Sequence, residues 1–179
     1  MTWCLVGSEM CIRDSQGTAG QQIDLDTNFT VTITDTGSVA ATTLTTLDNG
    51  VPGTVTATTV DTLTGTAAQV AAAVAAGGLT LDGNFAVTLT TDSTAAASDL
   101  KAINTATSGI ITATGVTAIS GSLSDVGDVV DVDTDTSSAG QQIDLDTNFT
   151  VTLSDTGTMS ASALNTLCLL YTSDAADEV

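Results

Sequence analysis

The chain contains no histidine, and its 179 residues include only two lysine or arginine residues against 21 aspartate or glutamate residues. The formal net charge is −19. Binding to a phosphate backbone depends on lysine and arginine, so this balance argues against nucleic acid as a partner. It also disfavours anionic membrane surfaces, and no apolar run reaches the roughly 18 residues that a membrane-spanning helix needs. We therefore expect neither nucleic-acid binding nor membrane insertion.

Catalytic side chains are equally scarce. The cysteines Cys4, Cys11 and Cys168 lie near the ends of the chain, as does the only arginine, Arg13. Residues 16–167 therefore offer no histidine, cysteine or arginine, and neither a Ser-His-Asp nor a Cys-His arrangement can form there. Paired aspartates could serve a glycosidase in principle, but the aspartates recur with a repeat instead of marking one site. The sequence predicts that the protein is not an enzyme.

The two ends differ in character from the rest of the chain. The strings "CLVGSEMCIRDS" (Cys4–Ser15) and "CLLYTSDAADE" (Cys168–Glu178) resemble the translation of transposase adapter DNA used in sequencing libraries. Segments of this kind are left out of fold reasoning. We expect residues 1–15 and 168–179 to be adapter-derived, and the natural gene product to be longer than this chain.

The remaining sequence is repetitive. The string "IDLDTNFTVT" occurs at Ile23–Thr32 and again at Ile143–Thr152, and "LTLDGNFAVT" at Leu79–Thr88 is a looser copy. Aligning the phenylalanines Phe29 and Phe85 superimposes apolar positions over the whole first repeat. The predicted divisions are residues 16–84 (repeat 1 with its lead-in), 85–148 (repeat 2 with an acidic insertion near Asp125–Gly140) and 149–167 (truncated repeat 3).

Hydrophobic periodicity predicts the elements of each repeat. Alternation predicts strands over Ile23–Leu25, Phe29–Ile33 and Val55 to about Leu63. The spacing of Ala40, Leu44 and Leu47 predicts one stripe of a short helix, with Ser38 as its N-cap.

The alanine-rich segment Ala67–Ala76 is the strongest helix prediction in the chain. Thr66 and Gln69 fit a capping box before it, and Gly77–Gly78 predicts its end. Ser122 and Asp125 take the capping places in the second repeat.

The predicted fold class is therefore α/β, as a repeat solenoid of short strands and short helices. Each repeat would bury its apolar face only against its neighbours. The alternative is an all-β solenoid or sandwich, because threonine is a poor helix former and the segment "AATTLTTL" could instead be a loop or strand.

The register "TITDTG…AATTLTTLD…GTVTATTVDTLTGTAAQV" resembles tandem repeats of very large secreted or surface proteins of bacteria, which are adhesin-like. This resemblance implies an extracellular or cell-surface location and a structural or adhesive role, and it implies no catalytic residues. The partners it implies are neighbouring repeats of the same longer chain, with cell-surface glycans as a further one. The alternatives are a calcium-stabilised or carbohydrate-binding repeat module, and a fibre protein of a phage or other particle.

Calcium is the one cofactor that the sequence suggests, because Ca²⁺ binds oxygen ligands from aspartate and asparagine. The stronger candidate ligands are in the acidic insertion: Asp128, Asp131, Asp133 and Asp135. If the last three alternate along a strand, they share one face and repel each other without a cation. A solvated acidic loop is the favoured interpretation of this insertion, because runs of like charge are usually solvated. The weaker candidates are the repeated D-x-D-x-N strings: Asp24, Asp26, Asn28, Asp144, Asp146 and Asn148. Those strings also fit a plain turn between two strands, which is the favoured interpretation.

Overall fold

The structure, a computed structural model, describes residues 27–90, 94–133 and 142–174, with side chains described up to residue 169. Short strands and short helices alternate along these ranges. The strands are β1 (Val31–Thr32), β2 (Gly37–Ala40), β3 (Val55–Ala57), β4 (Val60–Gly65), β5 (Leu79–Leu81), β6 (Ala86–Leu89), β7 (Ala95–Ala96), β8 (Ile111–Ala113), β9 (Ala118–Gly121), β10 (Ile143–Leu145) and β11 (Thr150–Leu153). The helices are α1 (Ala41–Gly50), α2 (Ala67–Val74), α3 (Ala97–Ala106), α4 (Leu123–Asp131) and α5 (Ala161–Asp174).

Two helices begin with the caps that their sequences predict. Before α2, the Gln69 N–H donates to Thr66 Oγ1 at 3.3 Å, and the Thr66 N–H donates to Gln69 Oε1 at 3.0 Å. This reciprocal pair is a capping box and satisfies two donors at the helix start. Before α4, the Asp125 N–H donates to Ser122 Oγ at 3.1 Å. Both capping predictions are confirmed.

The predicted start of α1 is wrong. Ser38 lies in β2, and α1 begins after Ala40 with no side-chain cap. Ala40 is exposed, and Ala41 takes its place in the buried stripe with Leu44. The N-cap position is taken by Ala40, which has no side-chain oxygen, and Ser38 lies two residues before it.

The strand predicted from Val55 to about Leu63 is two strands, β3 and β4, which belong to different sheets. A turn at residues 58–59 separates them. The Thr59 hydroxyl donates to the carbonyl oxygens of Ile33 at 2.9 Å and Asp35 at 3.0 Å. These contacts hold this turn against the loop that follows β1, and a contact between distant segments cannot be inferred from local alternation. The predicted strand Phe29–Ile33 is shorter than expected, as Val31–Thr32, and Ile23–Leu25 lies outside the described residues.

The strands form three parallel sheets. Their orders are β1-β3-β5, then β10-β8-β6-β4-β2, then β11-β9-β7. Most of these ladders share one sequence offset between paired residues, which we call the ladder offset: Val31 pairs with Val55, Val55 with Leu79, and Leu63 with Val87. The offset is larger where Ile111 pairs with Ile143, so the connection between β8 and β10 is longer than the others.

Strands that are equivalent in the repeated sequence lie in different sheets. Each of β1, β6 and β11 follows the phenylalanine of its repeat, yet they belong to the first, second and third sheet respectively. As a result β6 pairs with β4 of the preceding repeat on one side and with β8 of its own repeat on the other. The second sheet therefore joins the two repeats through continuous backbone hydrogen bonding.

The core lies between the sheets and the helices. Alternate residues of each inner strand point into it, as with Val55 and Ala57 of β3 or Ile111 and Ala113 of β8. The helices cover it in sequence order, since α1 packs on α2, α2 on α3, α3 on α4 and α4 on α5. Small alanine and valine side chains allow these elements to approach closely.

The mixed α/β class is confirmed, and the all-β alternative is wrong. The threonine-rich segment that raised the alternative is α1, where threonine hydroxyls donate to carbonyls of the preceding turn: Thr45 to Ala41 at 3.2 Å and Thr46 to Thr42 at 2.7 Å. These bonds satisfy polar groups that would otherwise compete with the helix. Within the described ranges, no helix combines the length and the apolar character that crossing a bilayer requires.

A glycine permits the closest backbone approach in each repeat. A β-carbon on Gly109 would overlap the carbonyl oxygen of Phe85, and one on Gly53 would overlap that of Phe29. The Phe85 oxygen also accepts a hydrogen bond from the buried hydroxyl of Thr107. Because the obstructing atoms are backbone, they cannot move aside as a flexible side chain could. The distance between the backbone segments at Gly109 and Phe85, and between those at Gly53 and Phe29, therefore depends on glycine.

We expect Gly109→Ala to lower the free energy of unfolding by about 2 kcal/mol, because the added methyl group must push two backbone segments apart. Gly127→Ala is the matched control: it lies inside α4 with open space around its β-carbon position. Alanine is a better helix former there and should stabilise by up to ~1 kcal/mol. Urea denaturation of the full chain under reducing conditions measures both changes. Equal effects at the two sites would contradict the close-approach interpretation.

Candidate functional site: acidic residues around Lys101

Lys101, the only cation between residues 16 and 167, forms the one densely charged cluster among the described residues. It projects from α3 toward α4, which packs beside it. Its Nζ lies 3.0 Å from Asp125 Oδ1 and 2.6 Å from Asp128 Oδ2. The two aspartates occupy one face of α4, because positions i and i+3 of a helix are neighbours on its surface. The lysine thereby bridges two carboxylates that would otherwise repel each other.

The protonation equilibria in this cluster favour the charged forms. Hydrogen bonds to Asp128 and Asp125 raise the pKa of Lys101 above its ordinary value. The hydrogen bond from Lys101, followed by that from Ser122, lowers the pKa of Asp125. At neutral pH the lysine is therefore not a base, and Asp125 is not an acid. The arrangement links two helices electrostatically and does not supply acid–base chemistry.

The structure describes three of the four acidic candidates of the insertion, and they do not lie along one strand as the sequence analysis considered. Asp128 is on α4 and engages Lys101, and Asp131 is the exposed last residue of the same helix. The prediction that Asp131 and Asp133 alternate along a strand is therefore wrong, because α4 extends through Asp131. Asp135 lies outside the described residues.

Among the three that the structure describes, Asp133 is the buried one, with 2 % of its surface exposed. It forms an isolated parallel bridge with Ile143, and its Oδ1 accepts a hydrogen bond from the Leu145 N–H at 3.3 Å. This carboxylate thus helps to hold β10 against the segment that follows α4. The buried Asp133 carboxylate therefore has a structural role, because it accepts a hydrogen bond from the backbone of the neighbouring strand.

A cavity of about 270 Å³ lies beside the cluster, between α3 and the end of α4. Lys101, Asn104, Asp128 and Asp131 line its polar side. Asn104 Oδ1 is buried without a hydrogen-bond partner among the described residues. Asp48 Oδ1, which stands at the equivalent place of the first repeat, has the same property.

The repeated D-x-D-x-N string is a turn in the copy that the structure describes. The Asn148 N–H donates to Asp146 Oδ1 at 2.8 Å, and the Phe149 N–H donates to the Asp146 carbonyl at 3.3 Å. Asp144 precedes this turn in β10, and β11 follows it in another sheet. The favoured turn interpretation is confirmed there. Asn28 lies in the corresponding turn, while Asp24 and Asp26 are outside the described residues.

No group of three or more histidine, cysteine, aspartate or glutamate side chains within the described ranges is placed to hold a metal ion. Calcium binding by the insertion or by the repeated strings stays a prediction. The sequence did not point to the Lys101 cluster, because Lys101 and Asp125 are far apart along the chain and lie on different helices. The only local signal is the spacing of Asp125 and Asp128 on one helix face.

Comparisons of the chain with protein-family models, with curated proteins and with solved structures find no match.

We expect Lys101→Met to lower the thermal midpoint of unfolding, because Asp125 and Asp128 then repel each other without a cation between them. The lowered pKa of Asp125 contributes stability above the ordinary aspartate pKa, and this is lost as the pH falls through the folded value. The raised pKa of Lys101 contributes stability until the pH rises beyond the ordinary lysine range. The deficit of the variant should therefore be constant from about pH 5 to 9 and vanish in stronger acid.

Lys101→Arg is the control that keeps the charge, and its midpoint should stay near that of the unaltered chain. Calorimetry over this pH range at low salt measures the difference, which should shrink as salt screens the exposed charges. A deficit that persists unchanged at pH 2 would show that a change in packing at this position, and not the loss of the charge, is responsible.

Proposed function

We propose that the chain is part of an extended, non-catalytic solenoid that serves as a structural spacer or adhesive stalk in a secreted or cell-surface protein. The observation that carries this proposal is the sequential packing of its elements. Each helix packs on the helices next to it in order, and most strand ladders advance by the same ladder offset. Contacts between near neighbours are the property that lets a repeat array grow in one dimension.

The charge distribution supports the same function. A net charge of −19 keeps long acidic rods apart and soluble in a salty medium, where ions screen the repulsion within one chain. The one densely charged cluster within the described ranges, at Lys101, joins neighbouring helices and holds its groups in their charged forms. Its geometry suits a mechanical connection between successive units better than the turnover of a substrate.

The proposal predicts how the shape changes with repeat number. Inserting a second copy of residues 85–148 after residue 148 adds equivalents of the five strands β6–β10, which is about two further strands along each sheet. Since parallel strands lie about 4.8 Å apart, the longest dimension should increase by about 10 Å at unchanged cross-section. Small-angle X-ray scattering measures both quantities.

The thermal midpoint of the longer chain should also rise, because added interfaces stabilise a one-dimensional array. A scrambled insert of the same composition is the matched control, and it should leave the midpoint unchanged. An inserted copy that leaves the longest dimension unchanged, or that unfolds as a separate domain, would contradict the solenoid proposal.

Calcium stabilisation of such an array is a further prediction from its acidic segments. A calcium ion that binds only the folded chain must raise the thermal midpoint. We expect a rise in millimolar CaCl₂ beyond that in MgCl₂ at equal ionic strength, which separates site binding from charge screening. Equal midpoints in the two salts would contradict calcium binding. If the rise survives Asp128→Asn, the ion binds elsewhere than beside Lys101.

A further inference from the structure

An aspartate of repeat 3 caps a helix of repeat 2. The Leu123 N–H, at the first position of α4, donates to Asp155 Oδ2 at 2.6 Å. Asp155 follows β11, so its carboxylate reaches α4 across the boundary between two repeats. The N-cap residue Ser122 accepts from the Asp125 N–H instead. Two of the donors that a helix start leaves unpaired are therefore satisfied, one by its own repeat and one by the next repeat.

The two boundaries between repeats have equivalent registers. β6 of repeat 2 pairs with β4 of repeat 1, and β11 of repeat 3 pairs with β9 of repeat 2. In each ladder the residue after the later strand donates its N–H to the glycine that ends the earlier strand. Thr90 donates to the Gly65 carbonyl at 2.9 Å, and Ser154 donates to the Gly121 carbonyl at 2.8 Å. A threonine or serine N-cap and a helix follow the glycine in both repeats, so the chain forms the same boundary twice.

This register brings a carboxylate to the start of the helix, because Asp155 directly follows Ser154. The position recurs with the repeat: its equivalents are Asp35 in repeat 1 and Thr91 in repeat 2. Thr91 lies outside the described residues. Asp35 begins the same Asp-Thr-Gly string as Asp155 and comes after the equivalent strand, β1. The ladder of a preceding repeat would therefore bring Asp35 to the same place.

A helix N-terminus is a partially positive group that this acidic chain supplies at its repeat boundaries. Lys101 is the only cation between residues 16 and 167, so ion pairs cannot join every boundary. The unpaired N–H groups and the dipole of a helix start favour a carboxylate instead. Because α2 and α4 each begin at such a boundary, an aspartate can link repeats there without lysine or arginine.

We propose that the aspartate at the equivalent positions 35 and 155 joins its repeat to the one before it, by capping the last helix of that earlier repeat. Asp155 does so for α4, and Asp35 does so for an α4-type helix when a repeat precedes repeat 1. The partner that fits repeat 1 is then a strand ending in glycine, followed by a serine or threonine cap and a helix. This inference rests on the proposed solenoid function and adds to it the residue that connects successive repeats.

The first test removes the observed cap. We expect Asp155→Ala to raise the equilibrium constant for unfolding about fivefold, as for the loss of a helix N-cap. It should also remove the protection of the Leu123 amide from hydrogen exchange. Asp155→Asn keeps an acceptor oxygen and should retain most of both. Urea denaturation and amide exchange of the full chain under reducing conditions measure them, and unchanged exchange at Leu123 in Asp155→Ala would overturn the inference.

The second test gives Asp35 a helix to cap. A copy of residues 85–142 is inserted directly before Ile23, where the junction keeps its sequence because residues 139–152 repeat residues 19–32. Asp35→Ala should raise the equilibrium constant for unfolding about fivefold in the longer chain and leave it unchanged in the original chain. The difference between the two chains isolates the cap, because other effects of the substitution are common to both.

Asp61→Ala is the matched control, since it removes an exposed carboxylate of β4 that caps no described helix, and its effect should be the same in both chains. An Asp35→Ala effect that is equal in the two chains would overturn the inference. If small-angle scattering shows that the insert lengthens the chain while the two effects are equal, the proposed function stands and only this inference fails. An insert that does not lengthen the chain contradicts the proposed function and, with it, this inference.

Discussion

The parallel ladder with its constant offset is the constraint on which the rest of the structure depends. This offset sets how many residues are available for a turn, a second strand and a helix before the chain pairs again with its preceding strand. The return is tightest where Gly53 and Gly109 lie against the carbonyls of Phe29 and Phe85. Any side chain there would separate the segments that the ladder must hold at hydrogen-bonding distance. The packing of successive helices, the alternation of buried residues along the strands and the ion pair between α3 and α4 all depend on this constant pairing offset.

The repeat and the ladder have different periods, and the fold reconciles them. Two ladder offsets lead from Val31 only as far as Leu79, whereas the sequence repeat leads from Val31 to Val87. The surplus forms β5 and the turn after it, so that β6 enters the second sheet while its equivalent β1 is in the first. Each repeat is therefore displaced by one sheet relative to the repeat before it. The longer stretch before β10 leaves this pattern intact, because it lengthens a connection and not a strand.

The features that could be predicted from the sequence are those that depend on residues close together along the chain. Thr66 and Gln69 form their capping box from atoms within one helical turn, and the period of Ala67–Ala76 favours a helix in any surroundings. The hydrogen bonds of the turn at Thr59 and the ion pair of Lys101 with Asp125 involve groups that are distant along the chain. They become visible only when the order of the elements in space is known. The same reason explains why alternation through residues 58–59 wrongly suggested one continuous strand.

Charge and apolar packing act along different directions of this molecule. The apolar residues run from one copy into the next, while aspartates are exposed on loops, on a strand and on helix surfaces. These exposed aspartates include Asp35, Asp61, Asp82, Asp128 and Asp131. In the proposed array, adding a copy would bury the apolar end of the previous one and add negative charge along the sides.

In such a proposed array, the exposed apolar area would stay that of the two ends, however many copies are joined. Repulsion between the sides then opposes lateral aggregation without weakening the contacts between successive copies. Within residues 85–148, the carboxylates of Asp125 and Asp128 are engaged by Lys101, and that of Asp133 is engaged by a backbone N–H. The acidic composition is therefore compatible with the apolar packing of the proposed array, because charge and apolar contacts act on different surfaces.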